Sequence, residues 1–198
     1  MTTPDSTHSS RERLIAAGKA LFARHGYEQT STAAIARQAG TSESQLVRNF
    51  GGKSGLLEAI FNESWSALAS QIQPMTMQAE HSREALLRIL NLILAVFDRD
   101  HDVASLFLFE GRRVRGHEIA LSKGFLAFYE LVHQLIRQGQ QDGSFRSDIS
   151  VDILGSALLG CAEGMMRDRI IAERSGQRAA YDEEGIRATF EAIINALR

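Results

Sequence analysis

TSTAAIARQAGTSESQLVRNFGGK, residues 30–53, decides the fold. Its spacing predicts two short helices joined by a tight turn. The first starts after Ser31, whose side-chain oxygen can accept from the free N–H groups of the opening turn, and it carries Ile35 and Ala36 inward. Gly40 ends it, because a sharp reversal calls for the positive φ that glycine reaches without a Cβ clash. Ser42-Glu43-Ser44-Gln45 then opens the second helix as a capping box, Ser42 capping forward and Gln45 reaching back. Leu46 and Phe50, four residues apart, form its thin apolar face. Glu43, Ser44, Gln45, Arg48 and Asn49 around them are polar groups of the kinds that read base edges or hold phosphates. The pattern is a helix-turn-helix with a readable second helix. Taken alone, such a short helix is more often a solvated surface element, so the flanks decide between the two.

Upstream, Leu14, Ile15, Ala17, Leu21 and Phe22 recur at helical spacing over residues 10–25, and Gly26 stops them. Three helices, at about 10–25, 32–39 and 43–49, would share a core of Leu14, Leu21, Phe22, Ile35, Leu46 and Phe50. A head of that size needs support from a further element. Downstream, Leu56, Leu57, Ile60, Phe61, Trp65 and Leu68 line one side of a helix over about 54–73 that Pro74 closes, a stiff lever of about 30 Å. Further helical patterns lie at about 82–98, 102–114, 117–140, 151–173 and 182–197, nine helices in all. The 82–98 pattern is apolar nearly all round, as in a helix buried within a bundle. LFLFEG, residues 106–111, is β-prone, but with no partner strand expected elsewhere it reads as helix. QDGSFRSDIS, residues 141–150, is a turn, and Ser150 caps the helix that starts at Val151. The penultimate helix mixes Leu154 and Leu158 with small residues, and the last has Ile186, Phe190, Ile193 and Leu197 in a coiled-coil-like seam. These two helices can pack on their own domain or join a second copy in a four-helix bundle.

Composition agrees with an all-α protein made of a flexible arm (residues 1–9), a DNA-binding head (10–53) and a larger helical body (54–198). With 198 residues and 44% hydrophobic content the chain can bury a substantial core. The greasiest segment, residues 85–97, is interrupted by Arg88 and Asn91 and is too short to span a bilayer, so no membrane partner is expected. The N-terminus lacks an apolar run of signal type and reads as the arm of a cytoplasmic protein. The single Cys161 rules out an internal disulfide and a cysteine-based zinc site. Residues 1–54 hold seven Lys/Arg against four Asp/Glu, a net of +3, and the remainder holds 15 against 20, a net of −5. A basic head on an acidic body suits a nucleic-acid-facing module.

The stretch from Arg13 to Phe61 resembles the N-terminal domain of the TetR family of transcriptional regulators. Ile15, Leu21-Phe22, Gly26-Tyr27, Thr30-Ser31, Ile35-Ala36, Ala39-Gly40, Leu46, Phe50, Lys53 and Leu56-Leu57 carry the resemblance together. It implies a homodimer whose heads bind adjacent major grooves of a palindromic double-stranded operator and whose body binds a small-molecule effector. By resemblance, Ser31 and Thr32 meet phosphate, Ser42, Glu43, Ser44 and Gln45 enter the groove, and Arg48 contacts guanine or phosphate. Gln45 suits adenine and Glu43 suits cytosine N4. Lys53 is the expected phosphate anchor. Two positions depart from the family pattern: Val47 stands where a phosphate-contacting tyrosine is usual, and Asn49 where histidine is common. Val47 cannot donate to phosphate, though it can touch a thymine methyl. The implied dimer interface takes Leu154, Leu158, Ile186, Phe190, Ile193 and Leu197.

For the effector, Phe97, Phe107, Phe125, Phe128 and Tyr129 with Met165 and Met166 are candidates to line an apolar cavity, most such residues being simply core. His101, Arg112 and His133 are the candidate polar groups among them. No cofactor, metal site or catalytic residue is expected: the six histidines show no metal-binding spacing, and no nucleophile elbow or phosphate loop occurs. The expected function is therefore a ligand-responsive DNA-binding repressor. The alternative is a helical small-molecule-binding protein that has lost operator binding.

Overall fold

The computed structural model of the protein describes residues 9–115, 118–121 and 123–197, with 112–121 described through their backbone. Nine α-helices account for most of these residues: α1 (Ser10–His25), α2 (Thr32–Gln38), α3 (Glu43–Phe50), α4 (Lys53–Met77), α5 (Ser82–Arg99), α6 (His101–Ser105), α7 (Lys123–Gln141), α8 (Val151–Arg174) and α9 (Glu183–Ala196). A π-helical turn, Leu106–Glu110, continues α6, and a short antiparallel hairpin pairs β1 (Arg112–Arg115) with β2 (Glu118–Leu121). The fold is all-α with this one small hairpin. It divides into two compact units, Met1–Ser66 with Asp100–Ser122 and Ala67–Arg99 with Lys123–Arg198. The division falls within α4 and gives residues 100–122 to the head, where the sequence suggested a boundary at Lys53.

In the first unit, α1 opens with a full capping box: Ser9 Oγ accepts from the Glu12 N–H and Glu12 Oε2 accepts from the Ser9 N–H. Leu14, Phe22, Ile35, Leu46 and Leu56 are almost wholly buried at its centre, whereas Leu21 and Phe50 are only half-buried. Gly40, at φ 62°, turns the chain out of α2, with Thr41 N–H donating to Ala36 O at 2.9 Å and Gly40 N–H to Arg37 O at 3.2 Å. That pair of bonds satisfies the last carbonyls of the helix. Arg13 adds a third tie at the same end, its Nε donating to Ala39 O. At the start of α4, a Cβ on Gly55 would collide with Phe50 O, so only glycine lets α3 and α4 meet at this angle.

In the second unit, α7 packs on both α5 and α8, and α9 packs on α5 and α8. Leu86, Ile89, Leu90, Val132, Ile136, Leu154, Leu158, Ile186, Phe190 and Ile194 fill the interior. The salt bridge between Asp98 and Arg169, 3.1 Å, ties the end of α5 to α8. The turn from α7 to α8 is strongly organised: Phe145 is buried against Gly139, Asp142 accepts from the Ser144 N–H, and Arg146 makes two 2.6 Å bonds to Asp148.

Several expectations are corrected. The helices expected at 102–114 and 117–140 are instead α6, the π turn, the hairpin and α7 starting at Lys123. The partner strand is local: Val114 pairs with Ile119 and Arg113 with Ala120 across the hairpin. Pro74 does not close α4, which runs on to Met77; within the final turn a proline forfeits a single ladder bond, and its own carbonyl still accepts from Gln78. The seam assigned to a dimer interface is mainly internal. Leu154, Leu158, Ile186 and Phe190 are 0–5% exposed within the subunit and cannot face a second copy, while Ile193 and Leu197 are half-buried. A seam of that spacing serves equally well between neighbouring helices of one chain.

Gly155 marks a close approach of α7 to α8, since a Cβ there would collide with the imidazole of His133. At an ordinary helical site Gly→Ala stabilises by about 1 kcal/mol. Here Gly155→Ala is expected to destabilise by about 1–3 kcal/mol through overpacking, and to become neutral or favourable when His133→Ala is also present. Thermal unfolding of the single and double variants checks this; a stabilised single variant would show that the two helices are free to part.

Candidate nucleic-acid interface

The two helices of the motif are held by their own polar termini. Ser31 Oγ caps α2 by accepting from the Ala34 N–H at 3.1 Å, and Ser42 Oγ caps α3 by accepting from the Gln45 N–H at 3.3 Å. The Ser31 hydroxyl proton is not used in that bond and can be offered outward. Thr32 Oγ1 donates to Glu43 Oε2 at 2.6 Å, which pins the first residue of α2 to the first of α3. Thr32 therefore has its single proton engaged, and it can meet phosphate only by giving up Glu43. Asn49 bonds back to Gln45 O at 2.7 Å, and Ser44 Oγ lies 3.1 Å from Ser42 Oγ.

What remains presented by α3 is a distinct set. Ser44 and Arg48 are exposed, Gln45 is half-exposed, and Val47 is 55% exposed, while Leu46 is fully buried. A helix of eight residues with one buried anchor turns nearly all its other side chains outward. Guanidinium, amide and hydroxyl on one such surface can hydrogen-bond base edges or phosphate oxygens.

Lys53 is placed differently from the expected anchor. Its ammonium donates to Tyr27 O at 2.9 Å and Thr30 O at 3.0 Å and lies 4.3 Å from the Tyr27 ring centroid. Two of its three donors thus close the carbonyls of the connector between α1 and α2. Thr30, 3% exposed, anchors the same connector through Oγ1 to Gly26 O and Leu21 O. The sequence signal for this clamp was indirect: an ordered connector has carbonyls that need donors, and Lys53 opens the supporting helix.

The segment 100–110 reaches the same connector. Asp100 caps α6, Oδ1 accepting from the Val103 N–H, and its Oδ2 pairs with Lys19 of α1 at 2.6 Å. Burial works to raise the Asp100 carboxyl, but the bonds from Lys19 and Val103 outweigh it and hold it below the ordinary carboxylate range. A lowered folded value means that this tie is complete at neutral pH and is lost as pH falls through that value. At the end of the π turn, Glu110, 8% exposed, accepts from the Tyr27 N–H at 3.3 Å. Phe107, from the same turn, stacks on Phe61 at 5.8 Å and meets Trp65 at 4.6 Å, both on α4. Sequence reasoning missed Glu110, since a single acid in an apolar run carries no motif.

A family model described as bacterial regulatory proteins, tetR family, matches residues 14–60, which span most of α1, all of α2 and α3 and the opening of α4. The regulator UidR of Escherichia coli is 26% identical over 189 residues, covering 94% of each chain. The repressor KstR2 of Rhodococcus jostii is 26% identical over 77% of this chain and 78% of its own. The fold matches that of FadR from Bacillus subtilis, solved in complex with stearoyl-CoA, with a TM-score of 0.81, 16% identity and coverage of 94% of this chain and 98% of that one. Residues 14–60 thus carry the N-terminal segment of the tetR family of bacterial regulatory proteins.

The remaining candidate residues are divided between the two units. Phe107 and exposed His101 belong to the first unit, and Arg112 stands on β1 with its side chain outside the described residues. Phe97, Phe125, Phe128, Tyr129, Met165 and Met166 belong to the second. Phe125 and Tyr129 lie 6.4 Å apart along one face of α7, and Tyr129 meets His133 at 4.0 Å. His133 lies between α7 and α8: Nδ1 is 3.2 Å from Asp152, and buried Nε2 packs against Gly155. An open groove of about 660 Å³, lined by residues such as His81, Arg83, Leu87, Asp142 and Glu191, contains none of the expected effector residues. Among the described residues no helix is long and apolar enough to cross a membrane.

Lys53→Met keeps the aliphatic stem against Tyr27 but leaves two connector carbonyls without their donor. It is expected to lower stability by about 1–3 kcal/mol in thermal unfolding without DNA present. An unchanged melting curve would return Lys53 to a role on DNA alone.

Proposed function

We propose that the protein is a cytoplasmic homodimeric repressor that binds a palindromic operator through α3 of each copy and releases it when an apolar small molecule occupies the body, residues 54–198. The observation that carries the reading is the outward face of α3, where Ser44, Gln45 and Arg48 are presented while Leu46 locks the helix to its support. Gln45 pairs with adenine, Arg48 with guanine or a flanking phosphate, and the Ser31 hydroxyl with phosphate.

A second copy is supported by what α8 and α9 leave uncovered. Ile153 and Ile171 are 63% and 46% exposed on α8, with Ala157 and Gly160 exposed between them, and Ala188 and Ala192 are exposed on α9. Small residues let helices of two copies approach closely, and a two-fold axis would cover both strips at once. Two such copies present two recognition helices to an inverted repeat. The aromatic ladder of Phe125 and Tyr129 supports an apolar effector, as does the stearoyl-CoA bound by the FadR relative. Release requires that ligand bind the form with unfit head spacing more tightly than the operator-bound form.

Selection of bound duplexes from random DNA by the purified protein tests the reading. The expected product is an inverted repeat, with Gln45→Ala losing about 1–3 kcal/mol of discrimination at one base position per half-site. Absence of any enriched sequence would contradict operator binding, and a single unrepeated site would contradict the dimer.

A further inference from the structure

Val47 is the one large apolar side chain exposed among residues 9–53. It stands on α3 one turn after Glu43 and Ser44 and directly before Arg48, on a helix whose buried side is already filled by Leu46. The polar neighbours are not equally available: Glu43 holds the Thr32 proton, and the Asn49 amide is turned back on Gln45 O. Val47 is thus a fixed apolar element in the middle of the presented set. As a β-branched residue in a helix it is confined to essentially one χ1 rotamer, so its two methyls are offered in a defined direction.

The major groove presents only one apolar group, the 5-methyl of thymine. Against guanine O6 and N7 or the cytosine amino group, a valine would strip water from a polar edge and return no hydrogen bond. Against a thymine methyl, both partners lose apolar surface to each other. We propose that Val47 is a specificity-determining residue that reads the 5-methyl group of one thymine in each operator half-site. The inference rests on α3 being the groove helix, and its test separates the two. Because the contact is to a methyl and not to a hydrogen-bonding edge, it discriminates thymine from uracil in the same base pair, which neither Gln45 nor Arg48 does.

The test uses the full-length protein and the inverted repeat recovered by selection from random duplexes. Each thymine is replaced in turn by deoxyuridine, which removes only the 5-methyl, and binding is measured for the unaltered protein, for Val47→Ala and for Val47→Thr. One thymine per half-site is expected to weaken binding of the unaltered protein by about three- to tenfold on losing its methyl, a change the size of one buried methyl-sized group. The same exchange should cost Val47→Ala less than about twofold and Val47→Thr an intermediate amount. Since Val47 is exposed, unchanged melting of both variants is expected and separates lost contact from lost fold. Indifference of the unaltered protein to every exchange, or equal penalties in Val47→Ala, overturns the proposal while leaving the groove reading intact. Failure to select any sequence overturns both.

Discussion

The ammonium of Lys53 sits where the first residue of α4 meets the connector between α1 and α2, donating to Tyr27 O and Thr30 O and lying over the Tyr27 ring. This connector has to be rigid for α2 and α3 to be presented in one orientation. The bonds to its carbonyls are part-buried, where an unmet acceptor costs more than a hydrogen bond contributes in water. One residue therefore joins three elements: the end of α1, the start of α2 and the origin of α4. Thr30 completes the junction from the other side by donating back to Gly26 O and Leu21 O. The buried anchors Ile35 and Leu46 fix the packing of the head, but the junction at Lys53 fixes its angle on α4.

The same connector, and α1 before it, are gripped by residues far away in sequence. Glu110, at the end of the π turn, accepts from the Tyr27 N–H, and Asp100, at the start of α6, pairs with Lys19. A π turn inserts an extra residue into a helix and is costly to keep unless it positions something. Here it ends on the carboxylate that meets Tyr27 and carries the Phe107 ring that meets Phe61 and Trp65 on α4. The seating of α2 and α3 thus depends on two contacts, that of α4 through Lys53 and that of segment 100–110 through Glu110. A regulator needs such inputs, because a ligand changes DNA affinity only through an element that both sites bias.

The motif at residues 30–53 was legible because each of its signals is local. Ser31 and Ser42 are caps, Gly40 is a positive-φ turn, and Ile35 and Leu46 are anchors, all within reach of their own helix. Contacts that depend on distant partners were not legible. The Glu110 to Tyr27 bond spans 83 residues, and the commitment of Lys53 to carbonyls shows only once the connector has a shape. Residues 112–121 misled for another reason. Val114 and Ile119 suit a helix face as well as a strand, and a two-strand hairpin leaves too short an alternation to separate the periods. The seam of Ile186 and Phe190 likewise has a spacing that says helix packing without saying whose helix is the partner.

Amide hydrogen exchange at Tyr27 and Thr30, compared between the unaltered protein and Glu110→Ala, tests the shared seating of the connector most directly. If segment 106–110 helps hold it, both amides should exchange at least about tenfold faster in Glu110→Ala, while amides of α9 such as Ile186 keep their protection. Equal exchange at Tyr27 in the two proteins would contradict the account, because the connector would then be held without the carboxylate that its N–H meets.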